Sequence, residues 1–528
     1  MTARLVWIAV PAIVSACTGN ADVGTTDDVS TVSQVVEITR DFKHDESPPL
    51  RSLPVLTQRS KGKHEEPRHV FAPPDGLAQG EIDPALQAGV PAASTAAPLL
   101  AIAGVGNGDY GFAPDAAPPD TNGAVGATQF VQWVNESFAV FDKTTGALVF
   151  GPALGNTLWQ GFGGPCEANN DGDPIAQYDK IANRWVLSQF SVNSGFFQCI
   201  AVSTTSDATG TYFRYAFAQP NFNDYPKIGV WPDAYYVTFN MFTSTFLGAR
   251  VCAFDRAQMT AGGAATQECF QLSNSFASLL PADLDGAASP PPAGSPNYLL
   301  NFGTNSLRLW KAHVDFATPA NATLTGPATI AVNAFSPACG GGACIPQPGT
   351  REALDSLGDR LMYRLAYRNR GGVETLVVSH SVKVSGSKRS EVDGVRWYEL
   401  RNPNGAPTVA QQATFSPDAT SRWMPSAAMD KAGNIAVGYS ASSSTVHPAV
   451  RYAVRLAADP LNTLEAETSL IEGAGSQLTN LNRWGDYSAM TVDPVDDCTF
   501  WYTSEYQKAN GTFNWSTRIT SFKLPTCL

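Results

Sequence analysis

One short grammar recurs along this chain and limits what the chain can fold into. An aspartate enters a short apolar strand, an acidic turn follows, and a second strand rich in aromatics returns. Gly172-Asp173-Pro174 enters I-A-Q-Y, Asn223-Asp224-Tyr225 enters P-K-I-G-V, Gly358-Asp359-Arg360 enters L-M-Y-R-L-A-Y, and Gly485-Asp486-Tyr487 enters S-A-M-T-V. Asp-Lys turns punctuate the strands at Asp142–Gly146, Asp179–Asn183 and Asp430–Asn434, with a degenerate copy at Asp493–Asp497. Asp and Asn bond their own backbone and tolerate the left-handed conformation, so these sites predict β-hairpins.

Counted this way there are about seven units, near residues 125–155, 171–203, 226–272, 296–335, 358–402, 422–456 and 484–523. A period of roughly 40–60 residues is that of propeller blades, and a closed ring of blades avoids long exposed sheet edges. The predicted fold is therefore all-β: a single β-propeller over 104–528, seven-bladed, with six or eight blades or an array of β-sandwiches as alternatives. Long helical patterns are nearly absent, although 280–284 and 460–472 could each hold a turn or two of helix. Residues 18–103 carry no sustained periodicity and are rich in Ser, Thr, Pro and mixed charge, which predicts a disordered tether.

With 43% hydrophobic residues, 45 Gly and 37 Pro, the composition suits many short strands joined by turns. The net charge of −12 argues against nucleic acid as a partner, whose phosphates want a basic surface. Residues 1–17 read as a leader: Arg4, an apolar core too short to span a bilayer, then Val14-Ser15-Ala16-Cys17. That ending resembles the bacterial lipobox, with Cys17 lipidated; the alternative is an ordinary secretory signal cut near Ala16 or Ala21. Either way the chain is exported, as an outer-membrane or cell-surface lipoprotein or as a secreted protein. Eight further cysteines, an even number, then suit an oxidising compartment. They fall into local couples, 166 with 199, 252 with 269, 339 with 344 and 498 with 527, one of 105 connectivities.

In a propeller the loops leading into the innermost strands open at one face, so Asp173, Asp224, Asp359 and Asp486 should ring one channel mouth, with Asp120 of P-P-D-T-N-G beside them. Arg360, Arg422 and Arg483 adjoin the same entries, and Trp423, Trp484 and Tyr487 supply aromatic faces for a ligand. Three readings compete for the aspartates. Two carboxyl groups could work as acid and as base or nucleophile on a glycosidic bond. Alternating oxygens could hold Ca²⁺, at Asp171 and Asp173 or at Asp283 and Asp285. Or each Asp caps a strand entry by accepting backbone N–H groups, a repeated structural device.

The chain also resembles a family of exported bacterial proteins related to sialidase-like (BNR-type) β-propellers. The resemblance rests on P-P-D-T-N-G (118–123), N-D-G-D-P-I-A-Q-Y-D (170–179), Y-P-K-I-G-V-W-P-D-A-Y-Y (225–236), L-D-S-L-G-D-R-L-M-Y-R-L-A-Y-R-N (354–369), G-V-R-W-Y-E-L (394–400) and the segment from Arg483 to Tyr506. It implies a propeller and an exported location, and no reaction. The sialidase Asp-box is only echoed at 426–434, without its spacing or its Trp, and the F-R-I-P segment is missing. The function expected is therefore a monomeric cell-envelope propeller that binds a glycan or an envelope protein at its mouth. The alternative is a glycoside hydrolase or lyase using the mouth aspartates.

Overall fold

The computed structural model describes residues 36–57, 62–69, 71–78, 81–93, 97–387 and 390–528. The leader, Cys17 and the start of the predicted tether lie outside the described residues. Seven four-stranded antiparallel sheets follow one another along the chain, over residues 122–154, 175–218, 222–271, 280–331, 362–415, 421–471 and 489–523. Their innermost strands are Asn122–Val125, Ile175–Asp179, Phe222–Val230, Leu280–Leu284, Met362–Arg370, Ser421–Met429 and Ala489–Val492. Each touches the next in chain order and the last touches the first, so the sheets close into a seven-bladed propeller. Blades four and five are joined further, because Ala282–Leu284 pair in parallel with Leu365–Tyr367.

The seventh blade takes only three strands from the C-terminal end. Leu100–Ala103 completes it from outside, pairing Leu100 with Ser521 through Ala103 with Arg518. The described residues between 36 and 103 thus lie on the blades, where composition predicts a disordered tether. Lys43–Glu46 adds a fifth strand to blade two, and Glu37–Arg40 adds one to blade three. Asp83 is buried against Arg396 and Thr414 of blade five, and Pro91 accepts the Ala466 N–H of blade six. The stretch lacks a core of its own because it borrows the edges and grooves of finished blades.

The predicted hairpins form as the turn chemistry requires. Asp142 accepts N–H bonds from Thr144 and Thr145, Asp179 from Ile181 and Ala182, Asp430 from Asn434, and Asp493 from Val495. The turns also tie blades together: Arg256 of blade three reaches Asp179 at 2.6 Å, and Lys143 of blade one reaches Asp493 at 3.0 Å. Residues 280–284 are the innermost strand of blade four, not a helical turn. Pro281 is tolerated because the strand pairs antiparallel at Leu280 and Pro281, then in parallel on its other side from Ala282. Thr468–Ile471 is likewise an outer strand of blade six. All four expected disulfides are present, Cys166–Cys199, Cys252–Cys269, Cys339–Cys344 and Cys498–Cys527. Among the described residues no helix is long and apolar enough to cross a membrane.

Candidate functional site

Each blade begins with one residue in the left-handed region: Asp120 (φ 46°), Asp173 (48°), Tyr225 (57°), Ser278 (50°), Leu357 (42°), Met424 (55°) and Asp486 (55°). The chain must turn sharply there to enter the channel wall. Asp tolerates that conformation best among these residues; Tyr, Leu and Met hold it at a cost of about 1–2 kcal/mol each. Gly172 precedes Asp173 for a related reason. Its own φ is 95°, and a Cβ there would lie 1.9 Å from Asn135 Oδ1.

Five of these residues, Asp120, Asp173, Tyr225, Leu357 and Asp486, converge on a cavity of about 50 Å³ at the mouth, which Asp171, Asp224, Arg360 and Arg483 also line. Lys227 stands beneath it, fully buried, its Nζ 3.4 Å from the Tyr225 ring centre and 4.0 Å from that of Tyr487. Asp173 Oδ2 accepts the Tyr225 N–H at 2.8 Å, and Tyr487 donates its hydroxyl to the Pro174 carbonyl at 2.9 Å. Asp120 Oδ1 is buried with no hydrogen-bond partner among the described residues.

The environment drives these carboxyl groups apart. Burial, then the neighbouring Asp486 and Asp173 charges, hold Asp120 well above the usual carboxylate range. Burial and Asp173 do the same to Asp224. Burial also raises Asp173, against the pull of Lys227. Asp486 goes the other way: burial disfavours its charge, but the Arg483 guanidinium outweighs that and holds it below the range. Burial lowers Lys227 to about 8, in spite of Asp173 and Asp120. The cavity therefore sets carboxyls whose affinity for a proton is raised beside one whose affinity is lowered, the separation that acid and base chemistry exploits.

Across the mouth runs a strap, residues 62–69 and 71–78, that sequence reasoning missed. Arg483 Nε donates to the Glu66 carbonyl at 3.2 Å, and Arg360 Nη2 donates to the His69 carbonyl at 3.0 Å. Arg68 pairs with Asp355 at 3.0 Å, and the Phe71 N–H bonds Asp359 at 3.1 Å. Beside the mouth the strap forms one wall of a groove of about 570 Å³, faced by Phe71, Phe242, Phe246, Arg308 and Asp359 and sharing Arg68 and His69 with the mouth. His69 stacks on Phe242 at 4.1 Å.

Apart from Asp171, which lines the cavity, the remaining expected site residues lie elsewhere. Asp359 is turned toward the strap and held by Arg360 at 2.8 Å; in its blade it is Leu357 that occupies the left-handed entry. Arg422 is buried between Asp418 and Glu467, away from the cavity. Trp423 and Trp484 pack together, ring centres 5.6 Å apart, in a core with Met424 and Leu354. Asp283 and Asp285 clasp Arg364 at 2.7 and 2.8 Å, with Lys180 3.4 Å from Asp285, so guanidinium and ammonium groups meet their charge. Asp171 accepts the Val192 N–H at 2.8 Å and an amide N–H of Asn193. Tyr225 and Lys227 went unread although they directly follow Asp224; the Y-P-K run after an entry aspartate was their signal.

No protein-family model matches the chain, and no curated protein does. Among solved structures it is similar to the WD40 domain of SCAP from fission yeast, with 8% identity over 76% of this chain and 83% of that one and a TM-score of 0.32. It is similar to a thermostable family-43 glycoside hydrolase, with 11% identity over 66% and 88% of the two chains and a TM-score of 0.27. It is also similar to a PL25 ulvan lyase, a polysaccharide lyase, with 12% identity over 79% and 81% and a TM-score of 0.28. At these scores the likenesses assign no activity to this chain.

Proposed function

We propose that the protein is an exported, lipid-anchored propeller that binds a glycan at its mouth. The observation that carries this reading is Asp120 Oδ1, buried and without a hydrogen-bond partner among the described residues, beside a cavity lined by carboxyls held above and below their usual range and by the guanidinium groups of Arg68, Arg360 and Arg483. Donors and acceptors mixed at this density suit a sugar hydroxyl, which both donates and accepts. The cavity has room for about one water-sized group, so a single hydroxyl or hydroxymethyl enters it. The rest of the sugar lies in the adjoining groove, where Phe71, Phe242 and Phe246 offer apolar faces. An anchor at Cys17 and four disulfides fit work in the cell envelope.

A second reading, glycoside hydrolysis or lysis, is favoured by the opposed shifts of Asp120 and Asp486, which suit a proton donor and an ionised partner. One experiment separates the two: glycan-array binding by the full chain, with and without calcium, for the wild type and an Asp120→Asn/Asp486→Asn variant. Binding that disappears in the variant while the melting temperature holds supports a mouth site. Binding that persists with turnover abolished favours the hydrolase. A wild type that binds no glycan, or a variant that binds and turns over normally, overturns both.

A further inference from the structure

The four disulfides are not alike. Cys166, Cys199, Cys252, Cys269, Cys498 and Cys527 are each at most 1% exposed, sealed inside or between strands. Cys339 is half-buried, and it and Cys344 border a cavity of about 880 Å³ that Pro73, Arg351, Lys383 and Glu391 also line. The bridge spans a sequence separation of 5, against 33, 17 and 29 for the others. Closing so short a loop restrains the unfolded chain least, so opening it costs the fold little.

Around the bridge the protein is built to keep its shape when the sulfurs part. Ser356 Oγ donates to the Ala338 and Gly342 carbonyls at 3.0 and 2.9 Å, and Glu391 Oε1 accepts the Cys339 N–H at 2.6 Å. Behind the sulfurs, on the strand Val392–Arg401, sits Asp393, fully buried. Its Oδ2 is 3.8 Å from Cys339 Sγ and 3.7 Å from Cys344 Sγ, within reach of both. None of the other bridges has a carboxyl oxygen placed against both its sulfurs among the described hydrogen bonds.

We propose that Cys339–Cys344 is a redox-active disulfide that accepts two electrons from a dithiol partner, with Asp393 as the proton donor and acceptor for its sulfurs. A partner thiolate enters through the cavity and attacks Cys339 Sγ, the more exposed sulfur. The S–S bond breaks, and its electron pair passes to Cys344 Sγ, which takes the Asp393 proton as it leaves. The partner's second thiolate then attacks the partner sulfur of the mixed disulfide and displaces Cys339 as a thiolate. Asp393, recharged from solvent through the open cavity, protonates that thiolate in turn. The dithiol is oxidised to a disulfide, and the protein's bridge is reduced to two thiols. Burial, and then the Glu391 carboxylate beside it, hold Asp393 well above the usual carboxylate range, the direction that favours its protonated form. Lys383, 3.9 Å from Glu391, and Arg351 are basic groups that line the same cavity.

Dithiothreitol serves as the dithiol. The folded full chain is sampled over time, its free thiols are alkylated, and each cysteine is read by mass spectrometry. Cys339 and Cys344 are expected to label together, at least about tenfold faster than the other three pairs, before any loss of circular dichroism. Asp393→Asn is expected to slow this exchange about tenfold or more at pH 7, and Asp393→Glu to restore much of it. A purely structural Asp393 would do the opposite, since its loss would loosen the loop and speed exchange. Labelling of Cys339 and Cys344 no earlier than the buried pairs overturns the proposal on the wild type alone. Exchange in Asp393→Asn at or above the wild-type rate overturns the role of Asp393.

Discussion

At the scale of the residue, Lys227 is the most exacting placement in the channel. Its ammonium group is buried from the surface and faces two tyrosine rings, the Pro226 carbonyl and the nearby carboxyl groups. Burial brings its pKa down to about 8, while in the unfolded chain it titrates at its ordinary value. Between pH 8 and pH 10 the unfolded state therefore holds a proton that the folded state has given up. Stability rises with pH across that window, by up to about 3 kcal/mol from this group. Lys227→Met should flatten the rise, as urea unfolding at pH 7.5, 8.5 and 9.5 would report; equal slopes in the two proteins would refute it. Asp173 gives a second test. It holds a left-handed backbone and accepts the Tyr225 N–H, so Asp173→Ala should cost about 2–3 kcal/mol. Asp173→Asn, which tolerates the same backbone, should cost about half that. Asp120, Asp173 and Asp486 were legible as a converging set because an aspartate at a repeated entry has a reason to be there. Asp359 was not separable from them in sequence. Its Gly-Asp looks the same, but Gly358 is needed because a Cβ would lie 2.3 Å from the Ala338 carbonyl, whereas Gly172 and Gly485 carry positive φ.

Among elements, the N-terminal strap is where sequence reasoning and the molecule part company. Strands of four residues that pair only at a blade's outer edge need neither apolar alternation nor a face of their own, so Glu37–Arg40 and Lys43–Glu46 leave no periodic trace. What they do leave is charge. Asp45 pairs with Arg214, itself 1% exposed, at 2.7 Å, and Asp83 meets Arg396, which is wholly buried. A charge in mixed-charge sequence reads as solvated until its partner is known. Asp83→Ala would leave the Arg396 guanidinium inside the protein without its carboxylate, and Thr414 Oγ1 without its acceptor. The expected loss is about 3–5 kcal/mol, read from chemical denaturation. A loss below about 1 kcal/mol would mean that the segment rests on the blades without stabilising them. The disulfides were legible for the converse reason: each links cysteines within one blade, within one loop, or between a blade and the segment that flanks it in sequence, so the shortest pairing was also the one the sheets permit.

For the whole molecule, the question is what keeps a ring of seven sheets shut. Blades two to six are each continuous in sequence, and their count could be read from repetition. Closure could not, because the strand that seals blade seven lies before blade one, in a stretch that sequence assigns to a tether. Leu100–Ala103 forms the outer strand there, flanked by the Leu99 N–H bonding the Ser521 carbonyl at 2.8 Å and the Gly104 N–H bonding the Thr517 carbonyl at 3.0 Å. Leu100 and Ile102 pack against the cluster that joins blades seven and one, with Phe130, Phe141 and Trp501 in it. Half-buried, these two side chains contribute about 1 kcal/mol each, and the ladder bonds add a similar amount. A chain cut to begin at Gly104, the boundary composition suggests, leaves Trp515–Lys523 as a bare edge and the ring unlatched. It should melt about 4 °C below a chain that begins at residue 97, and associate through the exposed edge. Supplying residues 97–103 as a peptide should recover much of the difference, since the groove it fills is already formed by strands on both sides of the junction. Equal melting temperatures for the two cuts would mean that packing between the innermost strands closes the ring unaided, and that the outer strand only covers it.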